Sequence, residues 1–476
     1  MKWLVKILFL LSTILLIAGC EKERDSSGND AILRFSADTI SFDTIFTTSD
    51  VPVKILRVGN PTSESLNLSE IRLSGGDASY FKLNINGQTS NELFNVQIPP
   101  NDSIYVFIEL KQKPGIGTSL IAEDSILFRL SNIEQRVKLL AIGQNFRMIK
   151  SEKLKSSRWT NDLPYLVYNY VYVDSGQVLT IDAGTQIHFH THAGLYVKGT
   201  LIVNGTADEP VVFKGDRSGN ATVEPTNQWN GIVLFSGSRN NKIEHAIIKN
   251  GNIGLQVGTI EQDGYASVEL NNTRIENMGW AGIWAMKSKI TASNCIISNV
   301  KNYNTALLLG GDYQFYHTSF VNYNNGVTNV LRETETLIVS NYLASSKSGA
   351  KYVGDMKQAI FGNCVIAGSL RNELMVAMDP KGQSNFLFDH CLIQMADTAK
   401  LKPSERFVGN LLNVNPGFAN PRRGNYEPDS LSVIRNYGKQ SYAKMVPSDI
   451  RDESRLNDKA PDLGAYEWLD KKNPRK

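Results

Sequence analysis

The chain has 476 residues, of which 41% are hydrophobic and 20% charged, with 4 Cys. That composition excludes a disulfide-stapled mini-protein and a disordered tail. Lys+Arg number 50 against 47 Asp+Glu, a near balance that gives no electrostatic reason to expect nucleic acid as a partner. Only one long apolar run exists, at the start, so a polytopic helical membrane protein is excluded as well.

Residues 1–19 carry Lys2 and Lys6 ahead of ILFLLSTILLIAG, the layout of a secretory signal peptide. The run is short for a spanning helix and holds Ser12 and Thr13. Ile17-Ala18-Gly19-Cys20 resembles the bacterial lipobox, which implies cleavage between Gly19 and Cys20 and lipidation, palmitate included, of Cys20. Several acyl chains hold a protein on a bilayer where one chain binds only marginally. The tract Glu21-Lys22-Glu23-Arg24-Asp25, interrupted by Arg24, resembles the surface-export signal of Bacteroidetes lipoproteins; a solvated tether is the plainer reading. Residues 20–31 are thus a flexible, lipid-anchored tether. The implied location is the outer membrane, facing out of the cell, with the periplasmic face as the alternative.

Residues 32–146 carry short alternating apolar runs, such as Val53-Lys-Ile55-Leu-Arg-Val58 and Ile104-Tyr-Val106-Phe-Ile108, cut by Gly59-Asn60-Pro61, Ser74-Gly75-Gly76 and Pro99-Pro100. Period-two runs about ten residues apart predict an antiparallel β-sandwich. VGNPTSESLNLSEIRLSGGDASYFKL with IPPNDSIYVFIEL resembles immunoglobulin-like domains of the abnormal-spindle/Hydin type, which implies a spacer or binding module.

Residues 150–415 repeat. A polar residue, then a small or thiol residue, and an apolar residue two further on recur at His245-Ala246, Asn272-Thr273, Asn294-Cys295, His317-Thr318, Asn341-Tyr342, Asn363-Cys364 and His390-Cys391. Successive steps are 27, 22, 23, 24, 22 and 27 residues. An interval of ~23 residues is one turn of a parallel β-helix, so this stretch predicts roughly eleven coils, each burying its inward residues against the next. The second members of these pairs should form one column. VDSGQVLTIDAGTQIHFHTHAGLYVKGTLIVNGTADEPVVFKGDR and QWNGIVLFSGSRNNKIEHAIIKNGNIGLQV resemble the right-handed parallel β-helix lipoproteins of Bacteroidetes. The expected fold is all-β: a right-handed parallel β-helix preceded by the sandwich. Residues 416–476, with Pro416, Pro421, Pro428 and Pro461, predict a non-repetitive cap over the open coil end and a solvated tail.

Chemistry is thinly signalled. His245, His317 and His390 share a slot with Asn, which favours a turn or ladder role. His188 and His190 alternate on one strand, two residues apart on a shared face, and are weak metal candidates. Cys295, Cys364 and Cys391 predict free, buried thiols. Asp216, Arg217, Arg239, Asp312, Arg371, Asp379, Lys381 and Asp389 are scattered singly, without the paired carboxylates a glycoside hydrolase needs. Trp280, Trp284, Tyr313 and Tyr316 are the candidate glycan contacts, since exposed rings on a stacked sheet make a platform for sugars; core filling is the competing reading for such rings.

The reading these residues favour is a non-catalytic glycan-binding or scaffold component of a cell-envelope assembly, without cofactor. One alternative is an extracellular polysaccharide lyase or hydrolase, with Ca²⁺ required for a lyase. The other is a subunit of outer-membrane transport or biogenesis machinery.

Overall fold

The computed structural model describes residues 33–46, 53–111, 120–144, 146–217, 225–260, 264–323, 332–344, 349–396, 404–457 and 459–469. Residues 1–31, with the expected signal peptide, Gly19, Cys20 and the expected tether, lie outside the described residues. The chain divides between residues 145 and 146 into two compact units.

In the first unit the alternation seen in sequence sorts side chains to two faces. Leu56 and Val58 are buried while Ile55 is exposed, as a half-buried strand requires. One five-stranded sheet runs Arg34–Phe35, Lys54–Gly59, Ser103–Leu110, Phe81–Ile85, Gln88–Thr89; the other runs Thr39–Phe46, Ile133–Gln144, Leu120–Leu130, Leu66–Leu73, Glu92–Ile98. Phe42, Phe81, Val106, Phe128 and Val137 meet in one core. The sandwich is not wholly antiparallel. Ile133–Gln144 pairs in parallel with Thr39–Phe46, Leu139 opposite Ile40. A parallel pair needs a long crossover, and almost the whole unit lies between these two strands in sequence.

The second unit is a continuous coil of parallel strands. Each turn contributes a strand to three sheets, denoted I, II and III. In one coil these are Gln186–Phe189, Gly194–Val197 and Thr200–Asn204; in the next they are Val211–Gly215, Gly231–Leu234 and Asn241–Glu244. Ile187, Phe189, Leu195, Val197, Leu201 and Val203 point inward and are fully or almost fully buried. Gly231 opens sheet II in its coil with φ +122°, and a Cβ there would lie 1.7 Å from the Ile253 carbonyl oxygen; only glycine tolerates that approach. In sheet I, ten pairings join eleven levels among the described residues, from Arg147–Lys150 to Leu411–Leu412.

The register stacks Ala246, Thr273, Cys295, Thr318, Cys364 and Cys391 at one position on successive levels. Tyr342, expected in this column, is not in it. It belongs to an antiparallel hairpin, Tyr342–Ala344 with Lys351–Val353. His317 and Asn363 are neighbours across 46 residues of a single coil, and the hairpin is an insertion within that coil. The insertion made this coil about twice the usual length, so it imitated two regular repeats.

The slot preceding the column is a left-handed turn. His245, Asn272, Asn294, His317, Asn363 and His390 all have φ between 44° and 53°, a region that Asn and His visit more readily than bulkier residues. Their side chains form a ladder: Asn272 Nδ2 lies 3.0 Å from His245 Nε2, Asn294 Nδ2 donates to Asn272 Oδ1 at 2.9 Å, and Asn363 Nδ2 lies 3.1 Å from His317 Nε2.

Residues 416–476 were expected to form a cap over the open end of the coil and a tail. The described residues of this segment, 416–457 and 459–469, pack instead along the outer flank of sheet I. Phe418, Tyr426, Ile434, Ile450 and Leu463 pack on Ile296, Val321, Val365 and Leu392. Lys439 N donates to Asn363 Oδ1 at 2.7 Å and Asn294 Nδ2 donates to Ser448 O at 2.8 Å, so the segment is stitched to the turn ladder.

His317 sets a pH dependence. Burial, then the nearby Arg455 charge, hold its imidazole well below the ordinary value, while His188 is pushed down to about 3 by burial and by Lys214. Both are ordinary histidines in the unfolded chain, with pKa about 6.5. Unfolding therefore takes up protons below that value, and stability present above it is lost as pH falls. For His317 the limiting slope is about 1.4 kcal/mol per pH unit. Thermal melts should fall in Tm from pH 7 toward pH 4, and His317→Asn should flatten that fall; an unchanged profile in the variant contradicts it.

Candidate functional site

Sheet II carries an aromatic cluster on its outer face. Trp284 points outward because its neighbours Ile283 and Ala285 are fully buried inward residues. Trp280 precedes the strand, its N–H donating to the Asn252 carbonyl at 2.8 Å, and Tyr303 N donates to the Trp280 carbonyl at 2.9 Å one coil on. The Trp280 and Trp284 ring centroids are 6.5 Å apart. Tyr303 stands edge-on to both, 5.3 Å from each at 69° and 66°. The result is a tilted cradle, with Trp280 41% exposed. Beside it an outer apolar cluster of Met286, Ala306, Leu308, Leu309 and Ile338, joined by Leu343 of the hairpin, packs against Trp284 and Tyr303.

The other two aromatic candidates are corrected by the structure. Tyr313 takes an inward position of sheet III between Ile290 and Ala359 and is fully buried, its hydroxyl donating to Gly310 O at 2.9 Å. Burial raises its phenol above the ordinary range. Tyr316 is 7% exposed and stacks on Tyr442 of the C-terminal segment at 5.3 Å. Tyr313 takes an inward strand position and Tyr316 is covered by a segment distant in sequence, so neither offers a ring face. Trp229 fills the core, stacked on Phe189 at 4.1 Å.

The two weak metal candidates diverge. His188 sits opposite Lys214 on the next level, and an ammonium group there opposes a cation. His190 Nδ1 lies 2.7 Å from Asp216 Oδ2, and its ring stacks on Tyr168 at 4.4 Å. Among the described residues no group of three or more His, Cys, Asp or Glu is placed to hold a metal ion.

The scattered charges are held separately. Asp216 pairs with His190, while Arg217 reaches Thr191. Asp312 accepts from Gln358 at 2.7 Å. Asp379 pairs with Lys351 at 2.5 Å, and donation from Lys351 and the Lys381 amide holds its carboxyl below the usual range. Burial would raise the Asp389 carboxyl, but donation from Lys439, His390 and Tyr442 outweighs it and the net shift is downward. Arg371 borders a shallow hollow with Tyr323, Gln394 and Asn413; Arg239 and Lys381 are exposed. The carboxylates that do cluster, Asp449, Asp462 and Glu467, are buried around Arg455 in the C-terminal segment. Cys295, Cys364 and Cys391 are free and fully buried, and desolvation raises the Cys295 thiol to about 12.

Sequence reasoning missed most of the sheet II face. Its outward position carries Tyr172, Tyr196, Val233, Gln256, Trp284, Ala306, Ile338 and Met375 on successive levels. Tyr196 and Phe235 stack at 6.2 Å, with Tyr172 6.4 Å from Phe235. The alternation in Leu195-Tyr196-Val197 was the available signal, but it does not say which strands share a sheet.

Residues 152–288 match a family model described as a pectate-lyase-like beta helix domain. No curated protein matches the chain. The crystal structure of the periplasmic chaperone SfaE aligns at 14% identity over 24% of this chain and 59% of that chain, with TM-score 0.18. That of the E. coli chaperone DraB aligns at 9% identity over 23% of this chain and 54% of that chain, with TM-score 0.17. The chain thus covers somewhat more than half the length of either structure, and likeness at this level assigns neither fold nor function. A pectate-lyase-like β-helix domain is what the chain resembles over residues 152–288.

Proposed function

We propose that this protein is a lipid-anchored, surface-exposed outer-membrane component that binds glycan without cleaving it. Residues 1–19 export the chain and Cys20 carries the lipid. The N-terminal sandwich acts as an immunoglobulin-like spacer of the abnormal-spindle/Hydin type, and the coil presents the binding surface within a cell-envelope assembly. The carrying observation is the Trp280–Trp284–Tyr303 cradle, an outward aromatic cluster on a rigid strand stack. Ring faces stack on the apolar faces of sugars, and the rigidity of the coil lowers the ordering cost of binding.

Affinity electrophoresis of the full chain in polysaccharide gels tests this. Retardation by a neutral polysaccharide is expected, with Trp280→Ala and Trp284→Ala each weakening binding about tenfold, or ~1.4 kcal/mol. Equal retardation of wild type and both variants contradicts the reading. The enzymatic alternative draws on the His190–Asp216 pair. An imidazole fixed by a carboxylate presents its other nitrogen as a base, and His190 is partly exposed while Asp216 is buried. Product release abolished by His190→Ala would favour it.

A further inference from the structure

Charge is distributed unequally over the three sheets. Outward positions of sheet I hold His188, Lys214, Arg274 and Glu276. Those of sheet III hold Lys242 opposite Glu269 and Lys289 opposite Asp312. The central outward position of sheet II holds no side chain charged at neutral pH over eight successive levels, from Tyr172 to Met375. Two residues further along these strands come Asp174 and Lys198 on the first two levels, and then Phe235, Gly258, Met286, Leu308, Ser340 and Ala377, which are uncharged. In a chain with 20% charged residues, this uncharged centre line disfavours a polyanion as the natural ligand, because Lys198 at its edge is matched by Asp174 one level away and nothing from Val233 to Trp284 would compensate the anion's lost hydration.

The strip also has a second aromatic station. Tyr196 and Phe235 stack there, and Asn230 Nδ2 donates to the Tyr196 hydroxyl at 3.1 Å, fixing the ring. The steps Tyr196 to Val233 to Gln256 to Trp284 separate the two stations by three levels, or about 14 Å at ~4.8 Å per strand. Gln256 stands between them as an amide able to donate to and accept from hydroxyl groups. Rings at both ends with the Gln256 amide and the Tyr196 phenol among them suit a hydroxyl-rich chain better than an apolar protein surface, which offers few partners for those polar groups.

We infer that the sheet II face binds an uncharged glycan chain lying along the coil axis, engaging both aromatic stations at once and spanning roughly four sugar residues. The inference rests on the reading of the Trp280–Trp284–Tyr303 cradle as a sugar site and adds the ligand's charge, direction and length. The two stations act as linked subsites, so the second raises affinity only for chains long enough to reach it.

Calorimetry on the full chain in detergent tests this, using neutral β-linked oligosaccharides from disaccharide to octasaccharide and oligouronates of the same lengths. The expected result is affinity for neutral chains that rises at least tenfold with length and does not change with salt, and weaker binding of uronates. Tyr196→Ala and Phe235→Ala should erase the gain with length while leaving disaccharide binding intact; Trp284→Ala should weaken both. Gln256→Glu, a surface change of nearly equal size, should weaken only the longer chains, which guards against misfolding as the cause. Disaccharide binding that depends on Trp284 but shows no gain with length, or uronates binding as tightly as neutral chains, overturns this inference and leaves the cradle. Absence of binding across the neutral series overturns both.

Discussion

Arg455→Ala is expected to destabilise the second unit by about 3–5 kcal/mol, because removing one partner of a buried ion pair leaves the other charge uncompensated. The Arg455 side chain is completely buried and uses every nitrogen. Nη1 donates to Glu467 at 2.7 Å, Nη2 to Asn294 Oδ1 at 2.9 Å and to Gly464 O at 3.1 Å, and Nε to Ser448 O at 3.3 Å. Glu467 is only 5% exposed; without the guanidinium its carboxylate keeps the Asp462 N–H at 2.9 Å but loses its ion-pair partner and is left beside the Asp449 and Asp462 carboxylates. Asn294 belongs to the turn ladder, so the same substitution cuts a tie between the C-terminal segment and the coil. That segment covers Val321, Val365 and Leu392, which would then face water. Urea denaturation should show the loss in midpoint, and limited proteolysis should cut within 416–469 before the coil. Arg455→Lys keeps the charge but cannot reach four acceptors in a planar fork, and should fall between. A wild-type midpoint for Arg455→Ala would show that the segment is held by its apolar contacts alone.

Phe361→Ala should cost a similar amount, about 3–5 kcal/mol for a large aromatic removed from a packed core. Phe315, Phe361, Phe388 and Phe407 form an inner stack, with centroid separations of 5.5, 4.6 and 5.3 Å and planes within 5° of parallel. Phe320 meets both Phe315 and Phe361 edge-on. In a solenoid each level is stabilised by its neighbours, so a cavity at Phe361 weakens the levels on both sides. Unfolding by urea should become less cooperative, the C-terminal levels opening first, and Phe361→Leu should recover part of the loss. A single unshifted transition in Phe361→Ala would mean the stack contributes little.

How much of this was legible depended on whether a requirement was local. The Asn/His slot is a left-handed turn, a backbone constraint that names its residue types, and so its column could be read from spacing alone. The hairpin at Tyr342–Ala344 defeated the same spacing, because an insertion about one coil long preserves the phase of the repeat. The flank of sheet I carried a signal that went unread. Early strands alternate, as in Gln186-Ile187-His188-Phe189, whereas Ile296-Ile297, Phe320-Val321, Val365-Ile366-Ala367 and Leu392-Ile393 are continuously apolar. Such runs mark strands covered on both faces, and the cover is the C-terminal segment. The parallel pair in the sandwich and the burial of Tyr316 each depend on a partner far away in sequence. The same holds for His190 and Asp216, two residues singled out separately that become a pair only when adjacent coils stack. The uncharged strip on sheet II was hidden for this reason too: its members are one per coil, each preceded and followed by inward residues, and only the register aligns them.

The most direct test of the glycan-binding face is a crystal structure of the full chain soaked with a neutral hexasaccharide. Density for sugar rings over Trp284 and Tyr303, continuing past Gln256 toward Phe235 and Tyr196, is the expected result. A sugar bound instead at the turn holding His190 and Asp216, with the sheet II face bare, would contradict the account and place the working site on a different side of the coil.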